Sequence, residues 1–287
     1  MFAKSLYKYF IKLNLIRFWL FLNRKKQINV FFGDSVFLRT SKDDFKNQSL
    51  KKYFSNYSVN PSVKNLVFAH SAFNLRHYYA TYEFLFKKNM VRGKTLIPIN
   101  LRSFSPQWFH NSSWHYADYL HFCVSQKFDD YDFDISFAKN EFPLLDLKSA
   151  VLIKDYIDNI KPGKDLSEYH LRKKMLFAYH YLYELNENHP LLNHLNSFDS
   201  FPLRDVVFYI YPINHEAAFK YFGDSFYKVV CSNINIIRKL LNRIISVELI
   251  DFSFELSSDC FFHENSTTEH LNERGREILV QKIMKII

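Results

Sequence analysis

The sequence predicts an α/β domain built around a parallel sheet. Short apolar runs rich in β-branched and aromatic residues recur at 28–32, 65–71, 94–100, 204–214 and 246–253. Helix-like stretches separate them, and no linker-like stretch divides the 287 residues. Strands that alternate with helices are joined by crossovers, and crossovers make neighbouring strands parallel.

The first 26 residues stand apart from this pattern. "SLYKYFIKLNLIRFWLFL" is strongly apolar, but it carries Lys8, Lys12 and Arg17 and runs into Arg24-Lys25-Lys26 with no small-residue cleavage site between. It therefore reads as neither a cleavable signal peptide nor a membrane span. Lys4, Lys8 and Lys12 recur every four residues, as in an amphipathic helix lying on an anionic membrane. A helix packed on the protein's own core fits equally well, so the expected location is cytoplasmic or peripheral to a membrane.

Residues 27–287 read as one domain. The run 28–32 is a buried strand that ends in a glycine turn at Gly33. A second strand spans 65–71 and a helix follows over 78–90, then a third strand at 94–100. Residues of about 118–200, rich in acids, tyrosines and leucines, read as a helical insertion with helices at 145–160 and 170–185. After it come a strand at 204–214, a helix at 226–244, a last strand at 246–253, and a closing helix at 271–287 with Asn272 as its N-cap.

Composition adds little about function. The net charge of +9 suits a phosphate-bearing or anionic-membrane partner, yet no zinc-finger spacing or RNP-type motif appears, so nucleic acid is not an expected partner. Cys123, Cys231 and Cys260 are odd in number and widely spaced, which argues against a disulfide framework or a zinc site. With no HExxH or clustered Asp/His spacing, neither metal nor cofactor is expected.

The tripeptide Gly-Asp-Ser occurs twice. Ser35 follows an apolar strand, so its hydroxyl is presented on a turn at the strand's carboxyl end, where ligands of parallel sheets sit. Ser225 follows a helix-like approach, and Gly223 reads there as a helix C-cap with Ser225 as an N-cap. A serine nucleophile needs a base. Of the twelve histidines, His270 lies in a polar loop between the last strand and the last helix, opening at the same sheet edge as Ser35. His70 and His215 are the competing histidines.

This order, strand-GDS, then an Asn after a middle strand, then a His before the final helix, resembles the SGNH (GDSL-type) hydrolase superfamily over residues of about 28–108 and 204–285. "IPINLRSFSPQW" and "YPINHEAAFKYFGDSF" followed by "EHLNERGR" look like segments of bacterial SGNH-type proteins associated with cell-envelope polymers. The resemblance implies a three-layer, flavodoxin-like sandwich with a central, mostly parallel sheet. It implies a serine esterase or O-acyltransferase acting on an acylated carbohydrate or small ester, with a catalytically degenerate glycan-binding protein as the alternative. Carried over, Ser35 is the nucleophile, His270 the base, Asn100 a side-chain oxyanion donor and the backbone N–H of Ser71 a second donor.

Two positions depart from the family pattern. The glycine of the second block is replaced by Ser71-Ala72, and the usual acid, three residues before the histidine, is Thr267. Glu269, Glu264 and Asp259 are the substitutes in reach of the sequence, and a Ser–His dyad without a carboxylate also works chemically. Trp108 and Trp114 suit either a sugar-stacking wall or the core.

Overall fold

The structure, a computed structural model, describes residues 2–41, 44–56, 62–86, 93–105, 108, 119, 123, 180–198, 206–243 and 247–287. Five strands form one all-parallel sheet: β1 (Gln27–Gly33), β2 (Val63–Ala69), β3 (Thr95–Ile99), β4 (Val206–Ile210) and β5 (Glu248–Asp251). Their spatial order is β2-β1-β3-β4-β5. That is the order of flavodoxin-like doubly wound sheets, whose ligands sit at the carboxyl ends of β1 and β3, where the winding reverses.

The described helices are α1 (Phe2–Leu22), α2 (Ser35–Leu38), α3 (Leu50–Asn56), α4 (Leu75–Phe86), α5 (Pro190–Ser197), α6 (His215–Phe222), α7 (Asp224–Arg243) and α8 (Glu273–Met284). Most of the expected insertion, with Trp114 and the stretch 145–160, lies outside the described residues. Of the stretch 170–185, residues 180–185 are described, and they form a turn and irregular chain instead of the expected helix.

The sheet is buried on both faces because alternate residues of a strand point to opposite sides. Val30 and Phe32 of β1, Ile97 and Ile99 of β3, and Phe208 and Ile210 of β4 enter one apolar cluster, shared with Leu13 and Leu20 of α1, Leu85 of α4 and Ile237 of α7. Phe31, Leu96, Tyr209 and the following Tyr211 enter the other, against Phe54 of α3 and Val280 and Ile283 of α8. The result is three layers. Phe31 stacks on Phe54 with ring centroids 4.5 Å apart, and each fully buried phenylalanine contributes up to about 3 kcal/mol.

Two glycines permit close approaches beside the sheet's carboxyl edge. A Cβ on Gly33 would lie 2.3 Å from the Phe37 ring, so glycine lets α2 fold back under the end of β1. A Cβ on Gly275 would lie 2.2 Å from the Cys260 carbonyl oxygen, so glycine lets α8 press on the short helical turn Ser258–Cys260. Asn272 caps α8 as expected, its side chain accepting from the Gly275 N–H at 3.0 Å.

Candidate active site

Ser35 lies two residues beyond β1. Asp34 caps α2 by accepting from the Val36 N–H at 2.8 Å, so Ser35 is the first helical residue, partly exposed on the turn. His270 arrives from the other end of the chain. Its loop is clasped at the base by an isolated bridge between Phe261 and Leu271, and the Phe262 N–H donates to the His270 carbonyl at 3.0 Å. From α8, Arg276 donates to the Leu271 carbonyl at 2.6 Å and pairs with Asp44 at 2.5 Å, both partners buried. These ties bring Nε2 of His270 to 3.1 Å from Oγ of Ser35.

The rest of the imidazole is held by a hydroxyl. Oγ1 of Thr268 lies 3.1 Å from Nδ1 of His270 and accepts from the His270 backbone N–H at 3.2 Å. The Phe262 ring is nearly parallel to that of His270, 8° between planes with centroids 6.4 Å apart. His270 is buried, which pushes its pKa down to about 4; nearby Glu269 favours the charged form but does not offset the burial. The imidazole is thus neutral at pH 7 and free to take a proton.

Asn100 directly follows β3, which pairs with both β1 and β4. Its Oδ1 caps the helical turn Leu101–Phe104 by accepting from the Arg102 N–H at 3.2 Å. Its Nδ2 donates to Asp34 at 2.9 Å and to Glu269 at 3.4 Å. Burial, with a further push from Glu269, raises the Asp34 pKa to about 6 against the hydrogen bond from Asn100.

Glu269 is fully buried and forms the centre of this network. Arg102 pairs with it, Tyr181 donates to it at 2.5 Å, and its Oε1 lies 3.9 Å from Nε2 of His270. Burial alone would raise its pKa, but Arg102, His270 and the Tyr181 hydroxyl bring it down to about 2. The Arg102 guanidinium also lies 4.2 Å from the Trp108 ring centroid, so Trp108 covers this cation.

Ser35, Asn100, His270 and Glu269 are thus brought into one constellation. Ser71 is exposed in the turn after β2, where the His70 N–H donates to the Gly33 carbonyl at 3.2 Å and ties the turn to the end of β1. Ala72, the next residue, has φ of +62°. Of the other carboxylates considered, Glu264 is exposed, and Asp259 is a half-buried partner of Arg274. His215 instead meets the Tyr227 hydroxyl at 2.8 Å, and His70 stacks on Phe73. The second Gly-Asp-Ser is a helix junction: Gly223 caps α6 with φ of +53°, but α7 already begins at Asp224, so Ser225 sits inside the first turn and is not the N-cap.

Asp34, Arg102, Tyr181 and Thr268 were not singled out from sequence. Arg102 offered a signal two residues after Asn100, since a buried arginine requires a carboxylate. Among the described residues, no group of three or more His, Cys, Asp or Glu side chains is arranged to hold a metal ion. Beside the His270 loop, a cleft of about 640 Å³ is lined by Ser41, Asp44, Phe262, His263, Asn265 and Arg274, among others. In comparisons with known proteins, no family model matches the chain and no curated protein matches it.

Proposed function

We propose that the chain is an SGNH-type serine esterase or O-acyltransferase that forms an acyl-enzyme on Ser35. The observation that carries this reading is the 3.1 Å contact between Ser35 Oγ and His270 Nε2, residues 235 apart in sequence. The strand order adds support, because Ser35 and Asn100 follow β1 and β3, on either side of the point where the winding reverses.

The chemistry follows from the groups present. Nε2 of His270 takes the Ser35 proton as Oγ bonds to the ester carbonyl carbon. The carbonyl electron pair moves onto oxygen, and Nδ2 of Asn100 and the Ser71 N–H are the donors suited to that oxyanion, each worth roughly 3–4 kcal/mol. Collapse breaks the ester C–O bond, and the leaving alcohol takes the proton from His270. Water or a sugar hydroxyl then enters by the reverse sequence, giving hydrolysis or transfer. The substrate class proposed is an acylated carbohydrate of the cell envelope.

Labelling with a fluorophosphonate tests the reading. Ser35→Ala should abolish labelling and Ser225→Ala should preserve it; labelling that survives in Ser35→Ala overturns the assignment. Release of p-nitrophenol from p-nitrophenyl acetate, with and without a glycan acceptor, separates hydrolysis from transfer.

A second reading, glycan binding without turnover, is favoured by one feature. Nδ2 of Asn100 is engaged by Asp34 and Glu269, and Nδ1 of His270 meets a hydroxyl where a carboxylate is usual. Glycan affinity with no turnover of any ester would select it.

A further inference from the structure

We propose that the outer face of α1 is a docking surface for an anionic lipid bilayer, on which the helix lies flat. The proposal is independent of the chemistry assigned to Ser35.

The inner side of α1 is already occupied. Leu13 and Leu20 are buried, Ile16 packs on the same cluster, and the Arg17 guanidinium lies 5.6 Å from the Phe84 ring centroid of α4. The opposite side should then carry polar residues, as a surface helix of a water-soluble domain does. Instead Ile11, Leu15, Phe18 and Leu22 are 40%, 62%, 60% and 64% exposed. Their spacings of four, three and four residues align them on one stripe. Trp19 and Phe21, exposed by 37% and 50%, flank it. Contiguous exposed apolar area of this kind marks a surface that meets something apolar.

Charge selects the partner. The chain has 38 basic and 29 acidic residues. Seven of the basic residues (Lys4, Lys8, Lys12, Arg17, Arg24, Lys25 and Lys26) and none of the acidic ones fall within residues 1–26, so the remaining 261 residues carry 31 basic against 29 acidic. Nearly all the net charge falls in the segment that carries the apolar stripe. Lys12 is exposed next to it, and Arg24, Lys25 and Lys26 are exposed just past its end, with the Arg24 guanidinium 4.9 Å from the Phe21 ring centroid. Aromatic and leucine side chains with cations at their margin match the boundary between acyl chains and anionic headgroups. A protein groove would satisfy the stripe but leaves the one-signed charge unexplained. Spanning is a different geometry, and no described helix is long and apolar enough for it.

The test is co-sedimentation of the full chain with vesicles. The protein should pellet with an equal mixture of phosphatidylcholine and phosphatidylglycerol and not with phosphatidylcholine alone. Raising salt from about 0.1 M to about 1 M, which shortens the screening length from about 10 Å to about 3 Å, should release it. Leu15→Glu/Phe18→Glu/Leu22→Glu and, separately, Arg24→Gln/Lys25→Gln/Lys26→Gln should each weaken binding at least about tenfold with unchanged circular dichroism. If the first variant misfolds, the second variant and the salt titration decide. Failure to bind the mixed vesicles overturns the proposal, as does resistance of the pellet to alkaline carbonate. A lipid-free dimer that the glutamate variant converts to monomer, without vesicle binding, would overturn it in favour of a second copy.

Discussion

The carboxylate of Glu269 lies 3.9 Å from Nε2 of His270, the same ring nitrogen that meets Ser35, while Nδ1 faces the hydroxyl of Thr268. In a Ser-His-Asp triad the acid sits at Nδ1, where it fixes the tautomer and stabilises the imidazolium. Here Thr268 meets the ring at Nδ1 with a hydroxyl, and Glu269 lies at the other edge, held by Arg102 and Tyr181.

Thr268 is therefore expected to be a positioning residue. Its Oγ1 already accepts the His270 backbone N–H and keeps a second acceptor site 3.1 Å from Nδ1; with Nδ1–H donated there, Nε2 is bare for the Ser35 proton. Thr268→Ala should lower kcat by about tenfold or more with KM little changed, below the roughly 10⁴ lost when a triad histidine takes the wrong tautomer. Thr268→Ser should recover most of the loss. Steady-state kinetics on p-nitrophenyl acetate reads both, and equal rates in the parent and the alanine variant would remove Thr268 from the mechanism.

The buried pair of Glu269 and Arg102 makes a stability prediction. Removing one member of a buried ion pair leaves a desolvated charge and costs about 3–5 kcal/mol. Glu269→Ala should lower the urea midpoint accordingly. Glu269→Leu with Arg102→Met, which removes both charges, should cost clearly less than the two single changes summed. Additive costs would mean the pair is not coupled.

Titration of His270 fixes a pH dependence. The base must be neutral, and its pKa is about 4, so the acid limb of kcat/KM should fall near pH 4 and not near the ordinary 6.5. The stability consequence has a definite sign. Between pH 6.5 and 4 the unfolded histidine takes up a proton that the folded one refuses, so this group's contribution is present above 6.5 and lost as pH falls through 4. Asp34, raised from 3.8 to about 6, works in the opposite sense, its contribution being present below 3.8 and lost as pH rises through 6. Relative to the parent, His270→Gln should therefore gain stability as pH falls from 6.5 to 4. A difference that stays flat across that interval contradicts the buried neutral histidine.

Much of this arrangement was legible where one local pattern dictates one structure. The apolar run before Gly33, the run before Asn100, and Asn272 ahead of the closing helix each gave an element and its end, because burial of both sheet faces demands continuous apolar strands. The start of α4 was read too late. Asn74 caps that helix by accepting from the Arg76 N–H at 3.1 Å, and the aromatic run beginning at Tyr78 obscured it. The Glu269 network was not legible at all. Glu269 was named only as a substitute acid, because neighbours in an extended chain point to opposite faces and its reach to the imidazole needs an unusual loop. The loop instead buries Thr267, Thr268, Glu269, His270 and Leu271 in succession, and the partners that make this tolerable lie 167 and 88 residues away at Arg102 and Tyr181.

Ala72 carries a prediction about the turn beside Ser71. Its φ of +62° is the left-handed conformation, which costs an L-residue about 1–2 kcal/mol and costs glycine almost nothing. Glycine loses about 0.4–1 kcal/mol of that advantage through the greater freedom of its unfolded chain. Ala72→Gly should thus stabilise the protein by up to about 1 kcal/mol, opposite in sign to the same change inside a helix. Urea denaturation reads the sign directly, and destabilisation would mean the turn does not hold this conformation.

Asn100 carries the prediction that best separates an enzyme from a binding protein. Its Nδ2 is the proposed side-chain oxyanion donor, yet it rests between two carboxylates, at 2.9 Å from Asp34 and 3.4 Å from Glu269. A developing oxyanion must draw at least one of those hydrogens away. Protonation of Asp34 weakens its hold on the amide, and the Asp34 pKa of about 6 puts that change within reach of ordinary assay conditions. If Asn100 stabilises the transition state, Asn100→Ala should lower kcat by roughly 10²–10³ while fluorophosphonate labelling slows but persists. Its amide also braces Asp34 and its Oδ1 caps the turn at Arg102, so Asn100→Asp, which keeps the cap and lacks the amide, separates those two roles. Loss of turnover in both variants with retained folding assigns the effect to the amide, as an oxyanion donor requires. Loss in the alanine variant alone identifies the cap, and the site would then have to find its oxyanion donors in the backbone.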